Sequence, residues 1–246
     1  MINTLRKIKL YGIRKFLTFA FFGSLNIFYM RFLKNSYSQN GEDLIIDKLL
    51  NYRKSGFYVD IGAYDPRWFS NTNRFYKKGW RGINVEPNVS NYKKFMLFRP
   101  KDINLNIGVG TKKCKLTFYN FFPNTLSTFS KKDAINYEKI GFKKIEEFKV
   151  SVRRLDKIFS RYCHSKKINF LSVDTEGYEM EVLMSNNWKK YRPQVICIES
   201  FTFNSSYSQS RERKEIGIFL ELTGYKRVYN NDTNIIYVDK QFSLVN

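Results

Sequence analysis

From residue 36 onward the chain alternates short apolar runs with mixed, amphipathic stretches. GFYVDIGA (56–63), RGINVEP (81–87), DINLNIGVG (102–110), INFLSVD (168–174) and PQVICIES (193–200) are apolar runs that end in turn residues or acids. Runs of that length predict buried strands. Between them, SYSQNGEDLIIDKLL (36–50), SNTNRFYKKGW (70–80), NYKKFMLF (91–98) and EMEVLMSNNW (179–188) predict helices. Ser38 or Asn40 can cap the first, whose Ile45, Ile46, Leu49 and Leu50 share one face. Gly79 and the Arg99-Pro100 step stop the next two. The alternation predicts a mostly parallel α/β sheet with helices on both faces. A helix in IGIFLELTGYKRVY, then NIIYVDK, adds an antiparallel final strand pair.

Two regions depart from this rhythm. Residues 111–150 read as a β segment (KLTFYNF), a loop (LSTFS) and a charged helix or excursion (131–149). Residues 1–36 lack acids and combine a basic run (Arg6, Lys7, Lys9, Arg14, Lys15) with the aromatic stretch FLTFAFFGSLNIFYM. That stretch is shorter than the ~20 residues a membrane-spanning helix needs. It fits a helix lying on an anionic membrane surface, or one packed on the core. The division expected is therefore a basic, aromatic N-terminal segment over 1–36 and a catalytic domain over 37–246.

Composition sharpens this picture in two places. With 43 Lys and Arg against 22 Asp and Glu, the formal net charge is +21, which favours anionic partners. No basic–aromatic motif of a known nucleic-acid module is present, so nucleic acid is a disfavoured partner. Cys114, Cys163 and Cys197 match no metal spacing and suit a cytoplasmic protein with reduced thiols, at the membrane surface if the N-terminal segment binds there. His164, the one histidine, falls before a strand, at the end of the sheet opposite the expected site, and reads as a surface residue.

The candidate chemistry sits at strand ends. Asp60 and Gly62 close the first strand, where open α/β sheets bind ligands and where Gly admits a close backbone approach. Glu86 closes the second, 24 residues after Gly62, where an acid can accept both ribose hydroxyls of a nucleoside. No GxGxxG surrounds Gly62, which favours a cofactor without phosphates over a nicotinamide dinucleotide. Asp174 and Glu176 follow the 168–174 strand and can take a hydroxyl proton or, with their oxygens, a divalent cation. Helix capping is the plainer role for Glu176. Glu199 closes the next strand on the same rim.

Taken together and in order, SQNGED (38–43), GFYVDIGAYDP (56–66), SNT (70–72), FYKKGWRGINVEPN (75–88), RPKDINLNIGVG (99–110), LSTFS (126–130), INFLSVDTEGYEMEVL (168–183) and RPQVICIE (192–199) resemble the FkbM-type methyltransferase family. The resemblance implies a Rossmann-like class I methyltransferase sheet, S-adenosylmethionine as methyl donor, and O-methylation of a sugar, glycan or glycolipid. It places Asp60, Gly62 and Ala63 under the amino-acid end of the donor, Glu86 on the ribose, and Asn106 near the adenine. Asp174 and Glu176 are placed at the methyl-transfer face. Gln39, Glu42 and Asp43 come from a helix folding over the pocket, and Ser127 and Ser130 line it. Thr175 stands where many relatives carry an apolar β-branched residue. The competing readings are a nicotinamide-dependent oxidoreductase and a non-catalytic membrane-surface module.

Overall fold

The computed structural model describes residues 29–139, 141–163, 166–203, 210–231 and 233–242. Most of the basic N-terminal segment, and His164, lie outside them.

The strands that form the main sheet are β1 (Phe57–Ile61), β2 (Arg81–Val85), β3 (Ile103–Leu105), β7 (Phe170–Val173), β8 (Val195–Glu199), β11 (Tyr225–Asn230) and β12 (Asn234–Asp239), while β9 (Phe201–Phe203) and β10 (Ser210–Glu212) pair apart from it. Their spatial order is β11-β12-β8-β7-β1-β2-β3. The pairs β1/β2, β1/β7, β2/β3 and β7/β8 are parallel, whereas β12 runs antiparallel to both β8 and β11. Strand order reverses between β1 and β7, so a crevice opens at their carboxyl ends, where sheets of this kind bind ligands.

Both faces of the sheet are covered. One core packs Val59, Ile61, Leu171 and Val173 against Ile158 and Phe159 of α5 (Leu155–Tyr162), Val182 and Leu183 of α6 (Glu179–Met184), and Ile216 and Leu220 of α7 (Lys214–Leu222). The alternate strand positions Tyr58, Phe170, Val195 and Cys197 pack against Ile46 of α1 (Glu42–Leu49), Leu50 at its C-cap and Phe75 of α2 (Asn73–Lys77). This is the period-two alternation of a sheet buried on both sides.

Three details differ from the sequence-based expectation. The 102–110 run does not form one strand. It breaks at Asn106, whose amide donates to the Glu86 and Pro87 carbonyls at 2.8 and 2.9 Å. Its second half, β4 (Gly108–Val109), leaves the main sheet to pair with β6 (Lys143–Arg153). The irregular middle is a built insert: β5 (Cys114–Phe122) pairs antiparallel with β6, and α4 (Lys131–Lys139) lies between them in sequence. Finally, Gly41 at φ +88° takes the N-cap position of α1, and Ser38 reaches in from outside, its Oγ accepting from Asp43 N at 3.3 Å.

The three thiols are unpaired, with Cys114 exposed and the other two buried. Among the described residues no helix is long and apolar enough to cross a membrane.

Candidate active site

A cavity of about 840 Å³ opens over the carboxyl ends of β1, β2, β7 and β8. That volume suits a drug-sized ligand with room beside it. Asp60, Glu86, Asp174, Glu176 and Glu199 line it, and among the described residues no lysine or arginine does. In a chain with 43 such cations this is a marked local inversion of charge.

One side of the cavity floor is made by the first two strand ends. Gly62 takes φ +77°, and a Cβ there would sit 1.7 Å from the Asp174 carbonyl oxygen. Only glycine fits between these loops. Asp60 is buried and accepts from the Thr72 hydroxyl at 2.6 Å; burial raises its carboxyl above the usual range. Glu86 accepts Tyr64 N through one oxygen and Asn88 N through the other, both at 2.8 Å. Burial pushes its carboxyl up to about 7, against the pull of those two N–H groups. Each oxygen keeps lone-pair capacity for a further donor. Ile107, Gly108 and Val109, rather than Asn106, form the wall beside it.

The opposite rim is acidic. One carboxylate oxygen from each of Asp174, Glu176 and Glu199 lies within 4.8 Å of the others. Burial first and neighbouring carboxylates second raise all three; Asp174 is pushed up to about 7, and Glu176 and Glu199 well above their ordinary values. Such a group shares protons at neutral pH and can accept one from a hydroxyl. It is also an all-oxygen donor set of the kind a magnesium-sized cation takes.

The loop bearing two of these acids is held by Glu179, the first residue of α6, which the sequence reading passed over. Its buried carboxylate accepts Thr175 N at 2.7 Å, the Thr175 hydroxyl at 2.9 Å and Gly177 N at 3.2 Å, and pairs with Arg213. Glu176 is thereby fixed at φ +52°, an uncommon conformation for a non-glycine residue. The hint in sequence was an acid two residues past Gly177, placed to fold back over its own turn.

The insert roofs the cavity. Phe118 and Phe129 stack at 4.9 Å, Phe129 meets Tyr178 at 5.7 Å, and Asn124, Leu126 and Ser127 add to the wall. Tyr137 of α4 reaches Glu176 at 3.5 Å.

Of the residues singled out in the sequence, Gln39, Asp60, Gly62, Ala63, Glu86, Ser127, Asp174, Glu176 and Glu199 are brought to this one cavity. Glu42, Asn106 and Ser130 are not on its wall. Glu42 is buried and accepts from the Asn231 and Asn234 side chains, tying α1 to the loop before β12. Asn106 ties off the end of β2, and Ser130 Oγ accepts from Asp133 N at the start of α4.

A doubly wound sheet with acids at the ends of the strands flanking its crevice places the cavity where open α/β sheets bind their ligands. The chain belongs to the FkbM methyltransferase domain family, whose model matches residues 60–227. Members of this family generally take their methyl group from S-adenosylmethionine. Among solved structures it is similar to a methyltransferase FkbM from Methylobacillus flagellatus KT, at 15% identity and a TM-score of 0.46. The match covers 75% of this chain and 44% of that one, so the chain spans less than half of that protein's length. No curated protein matches it.

Proposed function

We propose that this cavity binds S-adenosylmethionine and that the chain methylates a hydroxyl of a sugar, glycan or glycolipid. The observation that carries the reading is the acid-lined wall, to which the described residues bring no cation. A cofactor bearing phosphates would meet five carboxylates there and, among the described residues, no lysine or arginine, which counts against a nicotinamide dinucleotide. A ligand with hydroxyls, an ammonium group and a sulfonium suits the same wall.

Glu86 is the acceptor for the ribose hydroxyls, with the Tyr64 and Asn88 amides fixing its orientation. Asp60, Gly62 and Ala63 form the floor under the amino-acid end, and Ile107 and Val109 flank the base. Once bound, S-adenosylmethionine supplies an activated methyl group. Asp174, with Glu176 and Glu199, takes the proton from the attacking hydroxyl, and the apolar Phe118 and Phe129 keep water from competing. Asn124 and Ser127 supply amide and hydroxyl partners for a polyhydroxylated acceptor. The acid-free, basic N-terminal segment favours an acceptor at an anionic membrane surface.

Calorimetric titration with S-adenosylmethionine and S-adenosylhomocysteine tests the reading. Micromolar binding is expected, falling about 30-fold or more in Glu86→Ala as two charge-assisted hydrogen bonds are lost. No binding by the folded protein would end the methyltransferase assignment of this cavity. It would leave a membrane-surface module as the reading to pursue.

A further inference from the structure

One exposed face beside the cavity mouth has the composition of a bilayer contact. Arg67, Trp68 and Phe69 are consecutive and exposed, and Phe69 is also part of the cavity wall. The outward stripe of α3 (Val89–Phe98) is apolar where a surface helix is usually polar: Leu97 is 70% exposed and Met96 50%. The Arg67 guanidinium lies 3.8 Å over the Phe98 ring, so the 67–69 loop and the end of α3 form one surface.

On the loop's other side, Arg31 stacks 3.8 Å over Tyr37 and 5.6 Å from Trp68. Tyr37 O accepts Ser70 N at 2.9 Å, fixing this strip to the same loop. Residues 29–41, 66–81 and 88–101 carry lysines and arginines and not one Asp or Glu. The sequence that leads into Tyr29 continues the pattern, since 1–28 is basic and aromatic and has no acid.

We infer that this face, Trp68 and the outward stripe of α3 flanked by Arg31, Arg67 and Lys93, docks on an anionic phospholipid bilayer and turns the cavity mouth toward it. The inference rests on the methyltransferase reading of the cavity only for its consequence, which is that the acceptor is an amphiphile presented at headgroup level. The contact itself rests on the surface. Aromatic and aliphatic side chains enter the interface while cations meet lipid phosphates. A contrasting site sits on α7, where Ile218 and Leu222 are exposed but lie on a helix carrying Glu215 and Glu221. That surface lacks the charge for an anionic membrane.

The test uses the full chain with vesicles of phosphatidylcholine alone or mixed with phosphatidylglycerol. Sedimentation with the mixed vesicles only is expected. Trp80 and Trp188 are buried, so a blue shift of tryptophan emission on binding reads Trp68. Trp68→Phe removes the shift and leaves sedimentation. The double variant Trp68→Ser/Leu97→Ser weakens vesicle binding about tenfold, while Leu222→Ser leaves it unchanged. No sedimentation, or sedimentation indifferent to the double variant, overturns the inference. Duplex DNA bound as tightly and lost in the same double variant would assign the face to nucleic acid and also overturn it. S-adenosylmethionine titration of every variant separates the two readings. Donor binding without vesicle binding removes only the docking face, and vesicle binding without donor binding removes only the methyltransferase reading of the cavity.

Discussion

Gly62 and Asp174 touch backbone to backbone: the Asp174 amide donates to Ile61 O at 3.0 Å, and the Asp174 carbonyl lies where a Gly62 side chain would begin. The proposed floor under the donor and the proposed acid facing the acceptor are therefore set by one contact. Gly62→Ala is expected to lose about 2–4 kcal/mol of stability and nearly all donor binding, because both backbone strain and collision with a fixed carbonyl apply. Gly79→Ala is the control. Its φ is also positive, at +94°, but nothing lies within 4 Å. It should cost about 1 kcal/mol and leave the donor affinity intact. Urea unfolding and calorimetry on the two variants check this.

The acidic rim makes stability depend on pH in an unusual direction. An unfolded carboxyl titrates near 4, whereas Asp174 is pushed up to about 7, with Glu176 and Glu199 also raised. Between the two values the folded chain holds a proton that the unfolded chain has released. The contribution is complete below the unfolded value and is lost as pH climbs through the folded one. The thermal midpoint should fall from pH 5 to pH 8. Glu199→Gln should flatten that fall and raise the midpoint at pH 8 while lowering turnover. Wild-type methyl transfer should rise as pH passes 7 and the rim becomes competent as a base. A midpoint indifferent to pH over this range would mean that neither burial nor their neighbours raise these three carboxyls.

The half-buried Arg213 pairs with the buried Glu179, whose carboxylate also organises the 174–177 loop. Arg213→Met leaves that charge without its cation, an expected loss of about 3 kcal/mol. Adding Glu179→Gln should restore part of the stability and none of the turnover, since the loop's acceptor stays weakened. A double-mutant cycle read by urea midpoint and by turnover number would show the split.

Arg99 is 1% exposed yet has no carboxylate among its hydrogen-bond partners. Its fork reaches Pro66 O, the Ser70 and Thr72 hydroxyls and Asn84 Oδ1, pinning the 66–72 loop beneath the cavity. A lysine cannot span these directions. Arg99→Lys should cost about 2–4 kcal/mol and weaken the Thr72 support of Asp60, lowering donor affinity as well. Chemical denaturation together with donor titration tests both effects.

The main sheet was legible because each core strand is a short apolar run closed by a turn residue, and period-two burial leaves that signature whatever surrounds it. The strand-end acids were legible for the same reason: a carboxylate placed there is conspicuous against its apolar neighbours. Within the insert, KLTFYNF was legible and is the centre of β5, whereas the first half of β6 was not, because its exposed, charged positions read as a charged helix or excursion. The roles of Asn106, Ser130 and Glu42 were not legible either. Each spends its polar group on backbone or side chains brought close only by the tertiary fold, and sequence spacing carries no trace of that. Glu179 lay inside a quoted motif, but its grip on Thr175 and Gly177 depends on a left-handed turn at Glu176.

The cavity draws its floor from the loops of the main sheet and its roof from the β5–β6 insert, which meets the sheet through the short strand β4. On the proposed reading, the insert adds Phe118, Asn124, Ser127 and Phe129 to the acceptor side, beside acids that stay on the main sheet. An engineer wishing to redirect acceptor choice would therefore exchange cavity-lining residues of the insert and leave 57–88 untouched.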